Sequence, residues 1–249
     1  MVCLHGLFDT WRVWELVLPR LERRRDVLAL TLPGHAGGPP LGDEADAGAL
    51  ANELERAMDR LGWPTAHLVG NSLGGYLALE LAVRGRAESV VALAPAGGWA
   101  PDDDSYRELL RFQLTLYEQS RRAAPHAEAI LSTLQGRRRA TDLITVNYEH
   151  IPAELLAHQL IGMAACAGAE ALIEQGLGDR WSLDAERIAC PVRVIWGTAD
   201  RLLAWPGAAA RYREWLPHAD WVVLDDVGHC PQLDVPLETA ELILGFGPD

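Results

Sequence analysis

The chain has 249 residues, of which 49% are hydrophobic, and its formal net charge is −13. This composition can bury a large core in one domain, and the acidic balance argues against nucleic-acid binding, which needs a basic surface. No apolar run approaches about 18 residues and the four cysteines form no CxxC pair, so we expect a soluble protein of the reducing cytoplasm without a membrane span.

The first hundred residues alternate short apolar runs with helical patterns. Residues 2–4 and 26–30 are typical of buried strands. Residues 47–61 form an amphipathic helical pattern, and residues 65–69 and 89–93 predict two further strands. Strands that alternate with helices in this way indicate a parallel sheet with right-handed crossovers.

The strand at residues 65–69 runs into Gly70-Asn71-Ser72-Leu73-Gly74, and a helical pattern follows. A serine between two glycines at such a turn has a strained backbone, and its Oγ stands out above the sheet. Backbone N–H groups at the start of the helix point to the same place. The turn predicts Ser72 as a nucleophile, although this stretch alone leaves open a glycine-rich turn with a capping serine.

The pattern changes after residue 101, because helical patterns then follow one another to about residue 179 without a convincing strand. Three residues mark breaks between these helices: Pro125, Gly136 and Pro152. We predict a helical cap, inserted over the carboxyl edge of the sheet. The predicted core covers residues 1–99 and 183–249, and the predicted cap covers residues 100–182.

Two more strands are predicted, at residues 192–196 and 221–224. Asp200 and His229 each lie just beyond the carboxyl end of one of them, as Ser72 does beyond its own strand. Because the carboxyl ends of parallel strands line one edge of a sheet, these three side chains can meet. His229 would then accept the proton of Ser72, and Asp200 would hold the imidazole in the required tautomer.

Five motifs are similar, in order, to those of α/β-hydrolases with a helical cap. They span nearly the whole chain and are His5-Gly6 with Trp11, Pro33-Gly34-His35, Gly70-Asn71-Ser72-Leu73-Gly74-Gly75, Gly197-Thr198-Ala199-Asp200, and Gly228-His229. The resemblance implies an α/β fold, whose mostly parallel sheet carries helices on both faces. It also implies a triad of Ser72, Asp200 and His229, and an oxyanion hole formed by the backbone N–H groups of Leu7 and Leu73.

One feature departs from the family pattern. Members usually have a hairpin of two strands before the strand that carries the His-Gly turn, and here that strand begins at residue 2. The first two strands of the family are therefore expected to be missing. Either the start of the chain is truncated, or the sheet is smaller and has an exposed edge strand.

Other acidic side chains compete for the role of Asp200. Asp225 and Asp226 are nearer to His229 in the sequence, but we expect them to be solvated turn residues. The acidic run at residues 102–104 is a further source, because some family members take the acid from the strand before the cap. Cys230 is not expected to act as the nucleophile while a serine occupies the elbow.

The serine also limits the reaction, because the haloalkane dehalogenase and epoxide hydrolase branches of the family use an aspartate nucleophile. We predict a serine hydrolase that cleaves a small to medium, largely apolar ester, thioester or lactone through an acyl-serine intermediate. A carbon–carbon bond hydrolase of the meta-cleavage type, a lyase, an acyltransferase and a ligand-binding protein remain alternatives. No cofactor or metal is implied. The expected partner is a small-molecule substrate, and the chain is expected to be a monomer or homodimer.

Apolar and aromatic side chains are the candidates for the substrate pocket. Seven residues are predicted to bind the substrate: Phe8, Trp11, Trp99, Phe112, Tyr148, Met163 and Trp181. Because aromatic residues at helical spacing belong more often to the core than to a pocket, we expect only some of them to contact it.

Overall fold

The computed structural model describes residues 1–42, 45–178 and 181–247. Its centre is a sheet of six strands: β1 (Val2–Leu4), β2 (Leu28–Leu30), β3 (Ala66–Asn71), β4 (Ala87–Leu93), β5 (Val192–Gly197) and β6 (Asp220–Leu224). The strand order is β2-β1-β3-β4-β5-β6, and every pair is parallel. The predicted α/β fold with a mostly parallel sheet is confirmed.

The described residues also form α-helices and four short 3-10 helices. The α-helices are α1 (Leu18–Leu21), α2 (Ala47–Arg60), α3 (Leu73–Val83), α4 (Ser105–Ala123), α5 (Ala127–Leu131), α6 (Leu134–Thr141), α7 (Ala153–Ala164), α8 (Ala169–Gly178), α9 (Ala210–Trp215), α10 (Pro231–Asp234) and α11 (Pro236–Leu244). The 3-10 helices are Trp11–Trp14, Ala124–His126, Ala185–Arg187 and Gly207–Ala209.

Both faces of the sheet are buried. Val2, Leu4 and Leu68 belong to one hydrophobic cluster, whereas Cys3 and Val69, which alternate with them along β1 and β3, belong to a second cluster. Successive side chains of a strand point to opposite faces. The two clusters therefore lie on opposite sides of the sheet, and this explains why β1 and β2 contain only apolar residues instead of alternating with polar ones.

The segment between β4 and β5 is helical, with α4 to α8 covering residues 105–178 of the described chain. The predicted break at Gly136 was wrong, because this glycine lies inside α6. The break falls at Thr133, whose Oγ1 accepts the Gly136 N–H at 3.0 Å. A Cβ on Gly136 would overlap with the carbonyl oxygen of Ile130, so the glycine permits a close approach and does not end a helix.

The predicted core and cap boundaries, near residues 100 and 182, stay predictions. Among the residues described, no single helix is long and apolar enough to cross a membrane, whereas α7 and α8, bent by 72° at their break, meet that length and composition only as a pair. The apolar spacing of Trp14, Val17, Leu18 and Leu21 predicts one helix through Leu21, but the structure divides this stretch. Pro19 lacks an N–H and crowds the carbonyl four residues earlier, so a 3-10 turn at Trp11–Trp14 is followed by the separate helix α1.

Candidate active site

Ser72 lies at the turn between β3 and α3, with φ 56° and ψ −119°. This conformation is strained for a residue that carries a Cβ. A Cβ on Gly70 would overlap with the carbonyl of Gly74, and a Cβ on Gly74 would overlap with the carbonyl of Leu4. Both glycines are therefore required by close packing, and the turn has the geometry of a nucleophile elbow.

Asp200 and His229 follow β5 and β6 and form a buried pair. His229 Nδ1 donates to Asp200 Oδ2 at 2.8 Å, and Asp200 Oδ1 accepts the N–H groups of Leu202 and Leu203 at 2.9 and 2.7 Å. With its proton on Nδ1, the imidazole can accept a proton at Nε2. In the described part of the chain Nε2 is buried without a partner, so the bond to Ser72 Oγ is not formed here, as is common without substrate.

Asn71, the residue before the serine, connects the elbow to the histidine loop. Its Nδ2 donates to the carbonyl oxygens of His229 and Leu93 at 3.0 and 3.1 Å. Its Oδ1 accepts Gln232 Nε2 at 3.0 Å and the Cys230 thiol at 3.4 Å. This amide therefore holds the main chain of His229 beside the elbow. Sequence reasoning quoted Asn71 within the motif but gave it no role.

Asp234 is a second anchor of the histidine loop, and sequence reasoning missed it. Its carboxylate is 2% exposed and accepts four N–H donors: Gly228 N at 2.6 Å, Val146 N at 2.9 Å, Asn147 N at 2.6 Å and Asn147 Nδ2 at 3.0 Å. It joins the residue before His229 to the segment between α6 and α7. No sequence signal marked it, because acidic residues are usually solvated.

The two candidate oxyanion donors lie beside the serine. Leu7 and Leu73 line the same cavity as Ser72. Leu73 is the first residue of α3, so its N–H has no acceptor inside the helix. A Cβ on Gly6 would lie 3.1 Å from Ser72 Cβ, which brings the turn after β1 close to the elbow. The placement supports the predicted oxyanion hole, which stays a prediction.

His5 holds that turn in place. Its Nε2 accepts the Leu32 N–H at 2.9 Å, and its Nδ1 donates to the Gly6 carbonyl at 2.7 Å. Burial lowers the pKa of His5 well below its usual value, so the ring stays neutral and keeps one donor and one acceptor. These contacts give His5 a structural role.

The cavity at Ser72 is narrow and apolar, with a volume of about 60 Å³. Its lining comes from both the sheet edge and the helical insert, and includes Leu7, Leu73, Trp99, Leu110, Leu172 and Trp181. No charged side chain lines it within the described ranges. Among the same residues, no group of three or more His, Cys, Asp or Glu side chains is arranged to hold a metal ion.

Two of the seven predicted substrate-binding residues, Trp99 and Trp181, line this cavity, with their rings 6.0 Å apart at 64°. Phe8 is 3% exposed and stacks on Tyr117 at 5.8 Å. Met163 is partly buried and packs against the larger hydrophobic cluster. Neither Phe8 nor Met163 is among the residues found to line the cavity.

The remaining three predicted residues lie elsewhere. Trp11 and Phe112 are exposed, by 41% and 45%. Tyr148 lines a second cavity of about 620 Å³, which Asp200 also borders. Helical periodicity predicts which side of a helix is apolar but not which element covers it, and so it did not separate these residues from the two tryptophans.

Two of the competing acids have other partners. Asp225 is exposed and accepts the Thr198 hydroxyl at 3.0 Å. Asp104 is exposed and pairs with Arg107 at 3.1 Å. Asp200 is the acid found bonded to His229 in the described chain.

A polar contact joins the turn after β1 to the helical insert. Asp9 Oδ1 accepts the Thr10 N–H at 2.8 Å, and Asp9 Oδ2 accepts Gln159 Nε2, on α7, at 3.0 Å. Next to it, Thr10 Oγ1 lies 3.1 Å from His158 Nε2. Burial raises the pKa of Asp9 to about 6, against a smaller opposite effect of these two N–H donors.

Asp9→Asn is expected to stabilise the protein at about pH 8 and to have little effect near pH 4. The folded state binds the Asp9 proton more tightly than the unfolded chain does, so stability falls as the pH rises from the ordinary pKa of 3.8 to about 6, by up to ~3 kcal/mol in total. The asparagine fits, because the buried Gln159 Oε1 has no partner among the described residues and can accept its N–H after an amide flip.

The measurement is the Tm of wild type and Asp9→Asn at both pH values, where about 2–4 °C corresponds to 1 kcal/mol for a chain of this size. The matched control is Asp102→Asn, which also replaces a carboxylate by an amide but at an exposed position. An Asp9→Asn variant that is destabilised equally at both pH values would contradict the prediction.

Comparison with known proteins agrees with this geometry. The chain is 32% identical to epoxide hydrolase EphH of Mycobacterium tuberculosis over 198 residues, 79% of this chain and 92% of that protein. It is 29% identical to a pimeloyl-[acyl-carrier protein] methyl ester esterase of Aromatoleum aromaticum, over 98% of this chain and 96% of that protein. A thermophilic esterase from Thermogutta terrifontis has the same fold, with a TM-score of 0.71 and 20% identity over 98% of this chain and 87% of that chain. The alpha/beta hydrolase fold family model matches residues 1–236, and the chain belongs to this family of hydrolases.

Proposed function

We propose that the protein is a serine hydrolase of carboxylic esters with a small to medium, uncharged, apolar acyl group. The observation that supports the proposal is the arrangement around Ser72. Asp200 and His229 are hydrogen-bonded at 2.8 Å, and Asn71 connects the main chain of His229 to the elbow. Ser72 itself has a strained backbone and lines an apolar cavity. A thioester or lactone would satisfy the same site.

In the proposed reaction, Ser72 Oγ attacks the ester carbonyl carbon and His229 Nε2 accepts the serine proton. The backbone N–H groups of Leu7 and Leu73 stabilise the negative charge that develops on the carbonyl oxygen. His229 then protonates the departing alcohol, which leaves an acyl-Ser72 intermediate. Water, activated by the same imidazole, attacks this ester and releases the acid. Asp200 stabilises the imidazolium at each step.

Epoxide opening is the second candidate, because the relative from Mycobacterium tuberculosis is named an epoxide hydrolase. A carboxylate that opens an epoxide forms an ester, which water can hydrolyse. A serine that opens an epoxide forms an ether, and the proposed triad has no means of cleaving an ether with water. Ser72 at the elbow therefore favours acyl transfer over epoxide opening.

The lining of the cavity favours an uncharged acyl group. No charged side chain of the described residues lines it, so a carboxylate on the acyl part would lose its hydration without gaining a cation. The net charge of −13 adds a weak long-range repulsion of anions.

The test is hydrolysis of p-nitrophenyl acetate, butyrate, octanoate and dodecanoate, with styrene oxide as a parallel substrate. We expect ester hydrolysis with its best kcat/KM at short to medium acyl chains and no opening of the epoxide. Turnover of styrene oxide without any ester hydrolysis would contradict the proposal. So would inactivity toward all esters together with failure of a fluorophosphonate to label the protein.

A further inference from the structure

The backbone conformation of Gly176 does not require a glycine. It lies inside α8, where glycine destabilises a helix relative to alanine. Its φ is outside the left-handed region that favours glycine. The residue is nevertheless buried and lines the cavity that contains Ser72.

Close packing of two helix backbones does not explain this glycine either. A Cβ on Gly176 would lie 3.1 Å from Leu110 Cδ1 and 3.5 Å from Trp181 Cζ2. Both are side-chain atoms, and both residues line the same cavity. The missing side chain therefore lets Leu110 and Trp181 lie close to α8, and a side chain here would push them into the cavity between α4 and α8 and narrow it. A contrasting case is Gly70, whose Cβ would meet backbone atoms of Gly74 and Gly75.

This part of the cavity also reaches the surface. Gln113 on α4 and Gln175 on α8 line it; Gln113 is half-buried, and Gln175 is exposed. The walls nearer the interior are apolar, with Leu110 and Leu172 on the two helices. A slim chain can therefore extend from the elbow along apolar walls toward a polar opening.

We propose that Gly176 determines acyl-chain specificity by keeping the gap between α4 and α8 open, so that the enzyme accepts unbranched medium-chain acyl groups. The inference rests on the proposed ester hydrolase function and adds the class of acyl group. The acyl chain lies between Leu110 and Trp181, and its far end passes Gly176. A side chain at position 176 closes the gap and leaves room only for short acyl groups.

The test compares wild type, Gly176→Ala and Gly176→Val on p-nitrophenyl acetate and octanoate. We expect the ratio of kcat/KM for octanoate to kcat/KM for acetate to fall in both variants. For Gly176→Val the ratio should fall by about tenfold or more, which is the effect of one methylene group in a tight pocket. Leu110→Ala, which widens the same gap, raises the ratio.

Gly178→Ala is the matched control, because it lies in the same helix and its added Cβ would meet no atom of the described residues within 4 Å. Its ratio stays at the wild-type value. An unchanged ratio in folded Gly176→Val overturns the inference, as does an equal fall in Gly178→Ala.

A binding measurement separates this inference from the proposed function. In the Ser72→Ala background, binding of methyl octanoate is followed by tryptophan fluorescence, since Trp99 and Trp181 line the cavity. We expect Gly176→Val to weaken this binding by about tenfold or more, whether or not the wild type hydrolyses any ester. Equal affinity with and without the valine overturns the inference even if esters are turned over.

Discussion

Replacing Ser72 by alanine is expected to lower kcat for ester hydrolysis by about 10⁵–10⁶-fold, the loss typical of a serine hydrolase without its nucleophile. Alanine cannot form the acyl intermediate, and the oxyanion donors alone retain only a small residual rate. The main chain at this turn is fixed by close glycine packing at Gly70 and Gly74, so the fold is expected to persist. The measurement is steady-state hydrolysis of p-nitrophenyl butyrate, with Tm as the check on folding.

Cys230→Ala is the control for a rival nucleophile. The thiol follows His229 directly, but burial raises its pKa well above the usual value, so it is not the reactive thiolate. We expect Cys230→Ala to keep activity close to wild type. Activity that survives in Ser72→Ala but disappears in Cys230→Ala would contradict the assignment of Ser72.

Asp200→Asn is expected to lower kcat by about 10⁴-fold, the effect known for this change in serine proteases. The structure gives the reason in atomic terms. The N–H groups of Leu202 and Leu203 both donate to Asp200 Oδ1, so the amide oxygen of the asparagine takes that position. Its NH₂ group then faces His229 Nδ1, where the carboxylate oxygen accepted a hydrogen bond. The imidazole must turn to the tautomer with its proton on Nε2, which cannot accept the proton of Ser72.

The matched control is Asp225→Asn. Asp225 follows β6, as His229 does, but it is exposed and accepts a hydrogen bond from Thr198. Its kcat should stay close to that of wild type. A large loss of kcat in Asp225→Asn, with little loss in Asp200→Asn, would move the acid of the triad to Asp225.

The sequence was sufficient to predict the sheet edge and the residues placed on it. Alternating strands and helices define a parallel sheet, and a parallel sheet brings the residues after β3, β5 and β6 to one edge. Ser72, Asp200 and His229 could therefore be grouped without any knowledge of contacts. The glycines at positions 70 and 74 also predicted the strained turn, and the structure leaves no room for a Cβ at either position.

The contacts that hold the histidine loop could not be predicted in this way. Asp234 lies five residues after His229 and would be taken for a solvated acid, yet it is buried because four N–H donors from two separate segments converge on it. Asp9 is half-buried for a similar reason, because it bonds to Gln159 on α7. These contacts depend on how the helical insert sits on the sheet, and a one-dimensional pattern does not contain that arrangement.

The lining of the pocket shows the same limit. Trp99 and Trp181 meet at Ser72, whereas Phe112, on a helix with a clear apolar periodicity, is exposed. Gly176 could be recognised only from the structure, because its importance lies in the side-chain atoms that a Cβ would contact.

The most direct test of the central claim is mass spectrometry of the protein, quenched in acid during turnover of p-nitrophenyl butyrate and digested. The account predicts a butyryl group on the peptide that contains Ser72, and no such group in the Ser72→Ala variant. Turnover that leaves an acyl group on another residue, or a fluorophosphonate adduct elsewhere than on Ser72, would contradict the account.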